Sequence, residues 1–390
     1  MNDLPPLTGR RYAIAKKGTA VVETKATASG AMLANDKLRV RLDEKTGAVV
    51  ELFARGIEHN LVDTSGGEAI NDYRYLIGDD VNTLQRNGPV KITAGDNGPL
   101  VASLLVESDA PGCHKLLREV RLTAGGDFVE LLNTVDKRRL EASNYFAKEG
   151  KESVNFAFPF NVPGGDIRLD VPLGVMRPEL DQIPSACKNW LTAGSWADVS
   201  NASFGLTWVT LDAPMVEIGG VTANLLNSQT NSSVWRKKID PTQILYSWVM
   251  NNHWHTNYRA YQEGPVVFRF ILRPHLGARD IAESSRFAVG FGQPLVVVPG
   301  RGPAPRSTPL LRVEPADVII SSVKPSDDGK ALIIRLFNAG EKTASAKLAW
   351  SQTPSTLCFS DTSEQPRQPV TGDVPTPAMG LVTLRAEFPR

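Results

Sequence analysis

The chain has 390 residues, 42% hydrophobic and 22% charged, enough apolar material to close a buried core in more than one domain. Its 43 basic residues against 42 acidic ones leave a net charge of +1, which excludes the strongly basic surface that nucleic acid or an anionic membrane selects. Three cysteines, Cys113, Cys187 and Cys358, are odd in number and widely spaced, which sets aside both a disulfide framework and a cysteine-type zinc site.

Residues 1–30 read as a leader that lacks the basic start and apolar run of a signal peptide, and no later segment reaches the ~20 apolar residues of a membrane span. A cytoplasmic, soluble protein is expected, with neither nucleic acid nor membrane as partner. Leu38, Val40 and Leu42 then alternate with Lys37, Arg39 and Arg41, the period of two of a half-buried strand, and Lys45-Thr-Gly47 supplies the turn after it.

Further turn signals at Gly66-Gly67, Ala124-Gly-Gly-Asp127, Pro163-Gly-Gly-Asp166 and Asp327-Asp-Gly329 punctuate the apolar runs. With 27 prolines and 32 glycines there is little room for long helices, so the fold class is all-β. Val266, Phe268, Phe270 and Leu272 share one strand face opposite Arg269 and Arg273. The best short-helix candidate is Pro274–Arg286. Residues 294–309 are proline-rich and read as an extended linker. Beyond them, Val318–Val323, Ala331–Phe337, Ala344–Trp350 and Gly380–Arg385 are spaced like strands of a small sandwich covering residues 310–390.

The segment Trp248–Pro265 carries the densest chemistry: two histidines, four aromatics, an arginine and three asparagines. If residues 251–259 continue an extended strand, Asn251, His253, His255, Asn257 and Arg259 fall on one face and Asn252, Trp254, Thr256 and Tyr258 on the other. One face can then hydrogen-bond hydroxyls while Trp254, flanked by polar residues, packs against a sugar ring. His253 and His255 at i and i+2 also have the spacing of a metal pair, but no third ligand is in evidence, so no metal site is expected. Plain structural histidines are the competing reading. Trp208, inside the apolar run Leu206–Leu211, reads as core.

The run Asn251-Asn-His-Trp-His-Thr-Asn-Tyr258, followed by the Phe268-Arg-Phe270 strand, resembles the C-terminal half of the glycoside hydrolase family 38 α-mannosidases. Similar blocks occur in the same order at Asn35–Gly47, Val49–Leu52, Asn71-Asp-Tyr-Arg-Tyr75, Lys151–Phe160, Gly205–Pro214 and Ile334–Asn338. The resemblance implies a galactose-mutarotase-like β super-sandwich over residues 31–293, then the small β-sandwich. It implies a mannose-containing carbohydrate as ligand and an α-mannosidase catalytic domain as partner. The zinc ion, nucleophile and acid/base of that family sit on an N-terminal barrel, so this chain is expected to begin after them, with no catalytic residue and no cofactor of its own.

By the same resemblance Tyr73 reaches the sugar, with Tyr75 and a purely structural tyrosine as competitors. Arg259 is expected near the substrate groove, with a surface pairing to Glu263 as its alternative. The substrate-binding set is therefore Tyr73, His253, Trp254, His255, Asn257 and Arg259. Two other readings stay open: an aldose-epimerase-like enzyme using His253 or His255 with Glu263, and a purely structural or homo-oligomer-forming β-module.

Overall fold

The computed structural model describes residues 7–12, 23–145, 147–222, 233, 235–253, 259–303 and 308–389. The chain divides into two compact units. The larger holds Val21–Val171 and Met176–Arg279; the smaller gathers Asp280–Arg390 with Pro172–Val175 and the N-terminal residues to Ala20. Among the described residues no helix is long and apolar enough to cross a membrane.

The larger unit opens with a four-stranded antiparallel sheet, Thr27–Ser29, Met32–Ala34, Leu38–Leu42 and Val49–Ala54, in sequence order. Leu38, Val40 and Leu42 are buried and Arg39 is exposed, as the alternation predicts. Asp43 closes the turn, its Oδ1 accepting from the Lys45 and Thr46 amides at 3.0 and 2.7 Å. Gly47 then takes φ +70°, where a Cβ would also lie 2.3 Å from Val106 Cγ1, so only glycine fits there.

Two further sheets form the body of the unit. A five-stranded sheet runs in the order Leu191–Thr192, Met215–Ile218, Ile244–Asn251, Glu152–Pro159, Asp72–Ile77. In the other, the strands Asp166–Val171, Trp196–Ser200, Phe204–Thr210, Gly264–Leu276, Val129–Lys137, Cys113–Thr123, Val101–Ser108 and Val90–Asn97 lie side by side in that order.

Their inner faces meet in one core. Phe158 lies 5.0 Å from Phe270 and 5.4 Å from Trp208, and Trp208 stacks on Phe270 at 5.6 Å. Val154, Phe156, Leu245, Leu116, Val120, Leu131 and Leu272 complete it. Burying such side chains contributes roughly 1.5–3 kcal/mol each, and these ring pairs are what hold the sandwich shut.

The smaller unit pairs a three-stranded sheet, Leu311–Glu314, Ala344–Trp350 and Val374–Thr376, with a four-stranded one in the order Val318–Pro325, Ala331–Asn338, Leu381–Glu387, Thr356–Ser360. Leu311, Val318, Ile334, Leu336, Ala346, Val374, Leu384 and Ala386 form its core. The all-β expectation and the strands of the small sandwich hold.

The helix is displaced from its expected place. It spans Ile281–Gly292, while residues 274–276 finish the long Gly264–Leu276 strand. Asp280 sets its start by accepting from the Glu283 amide at 2.9 Å. Pro274 is tolerated in the strand because pairing with Val129–Lys137 ends at Leu272, leaving only the Phe204–Thr210 side paired.

Candidate functional site

The Ile244–Asn251 strand ends before the histidines. Asn252 breaks the ladder by turning its side chain into a clamp: Oδ1 accepts from the Glu152 amide at 2.5 Å, and Nδ2 donates to the Gly150 and Ala260 carbonyls at 3.0 and 2.9 Å. Its own amide donates to the Glu152 carbonyl at 3.1 Å. The strand is therefore closed on itself at Asn252 and Ala260, and the expected two-residue alternation does not carry on to His253, which lies outside any strand.

His253 is fully buried, and neither ring nitrogen has a hydrogen-bond partner. Burial, then the nearby Lys151 charge, pushes its pKa down to about 4, so the ring is neutral at pH 7. Trp254, His255 and Asn257 lie outside the described residues.

Arg259 emerges from the clamp into a cavity of about 480 Å³ lined by Lys137, Glu152, Ser153, Val154, Met250, Asn251, Asn252, Arg259, Tyr261 and Gln262. Its guanidinium is exposed and lies 5.8 Å from the Tyr261 ring, with no ion pair to Glu263 among the described residues. Arg139 lies over the same ring at 3.9 Å, and the Tyr145 ring is 5.8 Å away. At the cavity floor Lys137 and Glu152 form an ion pair of 2.8 Å, and Tyr75 donates its hydroxyl to Glu152 at 2.6 Å.

Tyr73 does not reach this cavity. Its ring is completely buried, 5.8 Å from the Phe156 ring, and its hydroxyl donates to the Pro111 carbonyl at 2.6 Å beside Cys113. The block around it is built as a sheet clamp. Asn71 exchanges two amide hydrogen bonds of 2.8 and 2.9 Å with Asn133, while Asp72 and Arg74 face the opposite way and pair at 3.1 Å. Of the six expected contact residues the structure brings Arg259 to the cavity, holds His253 and Tyr73 in the interior, and leaves three undescribed.

The residues that the sequence reading passed over are Tyr261, Gln262, Lys137, Glu152 and Asn252. Tyr261 and Gln262 lay within the singled-out segment, and Glu152 within the Lys151–Phe160 block. The signal that could have found the ion pair is a charged residue inside each of two strong strand patterns, Lys137 and Glu152.

A second polar grouping surrounds Asp198. Asp198, fully buried, accepts from Arg279 Nε at 2.9 Å and Thr207 at 2.8 Å, lies 3.1 Å from His275 Nε2, and is also bonded by Ser200. Ser200, His275 and Asp198 have the residue types of a nucleophilic triad. However, Ser200 and Asp198 meet the same nitrogen, Nε2, at 3.2 and 3.1 Å, so His275 cannot take a proton from one side while being oriented from the other. Among the described residues there is no group of three or more His, Cys, Asp or Glu that could hold a metal ion.

Chemically, the cavity presents an aromatic edge, a guanidinium, the Asn251 amide and a glutamine, the Asn252 side chain being committed to the clamp. It holds a single carboxylate, Glu152, already committed to Lys137 and Tyr75, whereas glycoside hydrolysis through a covalent intermediate uses two carboxyls about 5 Å apart. The His253–Glu263 acid/base pair is not assembled, since His253 is enclosed and Glu263 exposed.

Residues 317–385 match the family model of the glycosyl hydrolases family 38 C-terminal beta sandwich domain. A glycosyl hydrolase family 38 protein from Enterococcus faecalis is similar over 96% of this chain and 46% of its own, with TM-score 0.69 and 12% identity. An alpha-mannosidase from Enterococcus faecalis V583 is similar over 96% of this chain and 43% of its own, with TM-score 0.68 and 12% identity. A galactose mutarotase related enzyme from Lactobacillus acidophilus covers 66% of this chain and 99% of its own at TM-score 0.36 and 9% identity. No curated protein matches the chain. The resemblance to the C-terminal β-region of family 38 is thus shown, and the chain spans less than half the length of the two family 38 structures.

Proposed function

We propose that this chain is the carbohydrate-facing β-region of an α-mannosidase-type glycoside hydrolase, and that it completes a substrate groove with the Arg259–Tyr261 cavity. Catalysis, on this reading, belongs to a zinc-dependent barrel domain outside the residues described here, and the chain binds and orients an α-mannoside for it. The observation that carries the reading is the cavity at the base of the Asn252 clamp, in a chain whose fold follows the family 38 structures over 96% of its length. Arg259 supplies planar, directional donors to ring hydroxyls, Asn251 and Gln262 supply adaptable ones, and Tyr261 an apolar edge. The rigid Lys137–Glu152–Tyr75 floor fixes the depth of the site without spare reactivity.

The test is hydrolysis of a chromogenic aryl α-mannoside by the purified chain with added zinc, against a zinc-only control. The expected result is no turnover by the chain alone. Turnover abolished by substituting residues of this chain would overturn the reading, because it would place a complete catalytic site here.

A further inference from the structure

The cavity lining carries a positive charge that meets no carboxylate among the described residues. Lys137 and Glu152 neutralise each other, which leaves Arg259 as the one other charged lining residue. Arg259 has no carboxylate partner among the described residues, and its contact is the Tyr261 ring. Arg139 adds a second guanidinium over that ring; among the described residues it pairs with Glu141 at 3.7 Å, a carboxylate 82% exposed and screened by water.

We propose that this cavity takes an anionic saccharide, a mannose-type sugar bearing a phosphate or carboxylate group, with the anion on Arg259 and the pyranose ring against Tyr261. The inference rests on the carbohydrate-facing reading and narrows its ligand class. A guanidinium meets a phosphate or carboxylate through two parallel hydrogen bonds, which a neutral hydroxyl cannot match.

The experiment is calorimetric titration of the purified chain with methyl α-mannoside, mannose 6-phosphate, mannuronate and inorganic phosphate, each at low and at high salt. At least one charged sugar is expected to bind about tenfold more tightly than methyl α-mannoside, with the advantage shrinking as salt rises. Arg259→Gln, on an exposed side chain, should weaken the charged sugar by at least about fivefold more than it weakens methyl α-mannoside, removing most of that advantage. Equal affinities for charged and neutral sugars, or a preference untouched by Arg259→Gln, would overturn the anionic inference and leave the carbohydrate reading standing. Phosphate binding as tightly as mannose 6-phosphate, with no binding of methyl α-mannoside, would uphold the anion site and overturn the carbohydrate reading. Absence of binding by all four ligands would overturn both.

Discussion

Asn252 and Ala260 are tied directly together: the Asn252 side-chain amide donates to the Ala260 carbonyl at 2.9 Å while its oxygen accepts from the Glu152 amide. One buried side chain thereby fixes both ends of the segment that delivers Arg259. Asn252→Ala leaves the Glu152 amide and two carbonyls without partners. It should destabilise the chain by about 2–4 kcal/mol in urea unfolding, with sugar affinity falling in parallel. Asn252→Asp keeps the acceptor but sets a carboxylate against the Gly150 and Ala260 carbonyls, and should be no better.

The Lys137–Glu152 pair lies at the cavity floor with both side chains almost wholly enclosed. Removing one partner strands the other charge, so Lys137→Met or Glu152→Leu alone should lose about 3–5 kcal/mol, whereas the double substitution should lose much less than the sum. A double-mutant cycle by chemical denaturation reads this coupling.

Glu217 is fully buried, with the Thr222 amide and hydroxyl donating to Oε1 and no partner on Oε2. Burial, against the opposing Thr222 hydrogen bonds, raises its pKa from 4.5 to about 7. The folded state therefore holds this proton more tightly than the unfolded chain. Its contribution is fully present below about pH 4.5 and is lost as pH rises through about 7, a change on the order of 3 kcal/mol. Urea unfolding at pH 4.5 and 8 should show Glu217→Gln flattening this part of the pH dependence; an unchanged slope would contradict the assignment to Glu217.

Ser200 should be inert. Because His275 presents one nitrogen to both Ser200 and Asp198, a fluorophosphonate probe is expected to leave Ser200 unlabelled, and Ser200→Ala should only cost stability, about 1 kcal/mol through the lost hydrogen bond to Asp198. Labelling at Ser200, read by peptide mass spectrometry, would contradict this.

What the sequence made legible was what local pattern controls. Leu38, Val40 and Leu42, and Val266, Phe268, Phe270 and Leu272, alternate over stretches where one face meets the core, so their strands could be read directly. The helix was misplaced because Pro274 reads as a helix start when tertiary pairing holds it in a strand, and because the Asp280 cap lies six residues later. The cavity was harder to see. Its Lys137 and Glu152 lie on two different sheets and Tyr261 on neither, so no local pattern shows that they meet. Arg259 was found by resemblance. His253 was expected outward because the period of two was carried through Asn252, where a side-chain hydrogen bond replaces the ladder.

The most direct test of the central claim is the location of a bound α-mannoside, by NMR titration of the isotope-labelled chain with methyl α-mannoside. Saturable shifts centred on Arg259 Nε, Tyr261 and Asn251 are the result predicted. No saturable shift, or shifts centred instead on the separate 530 Å³ cavity at Lys37, Arg55, Arg273 and His275, would contradict it.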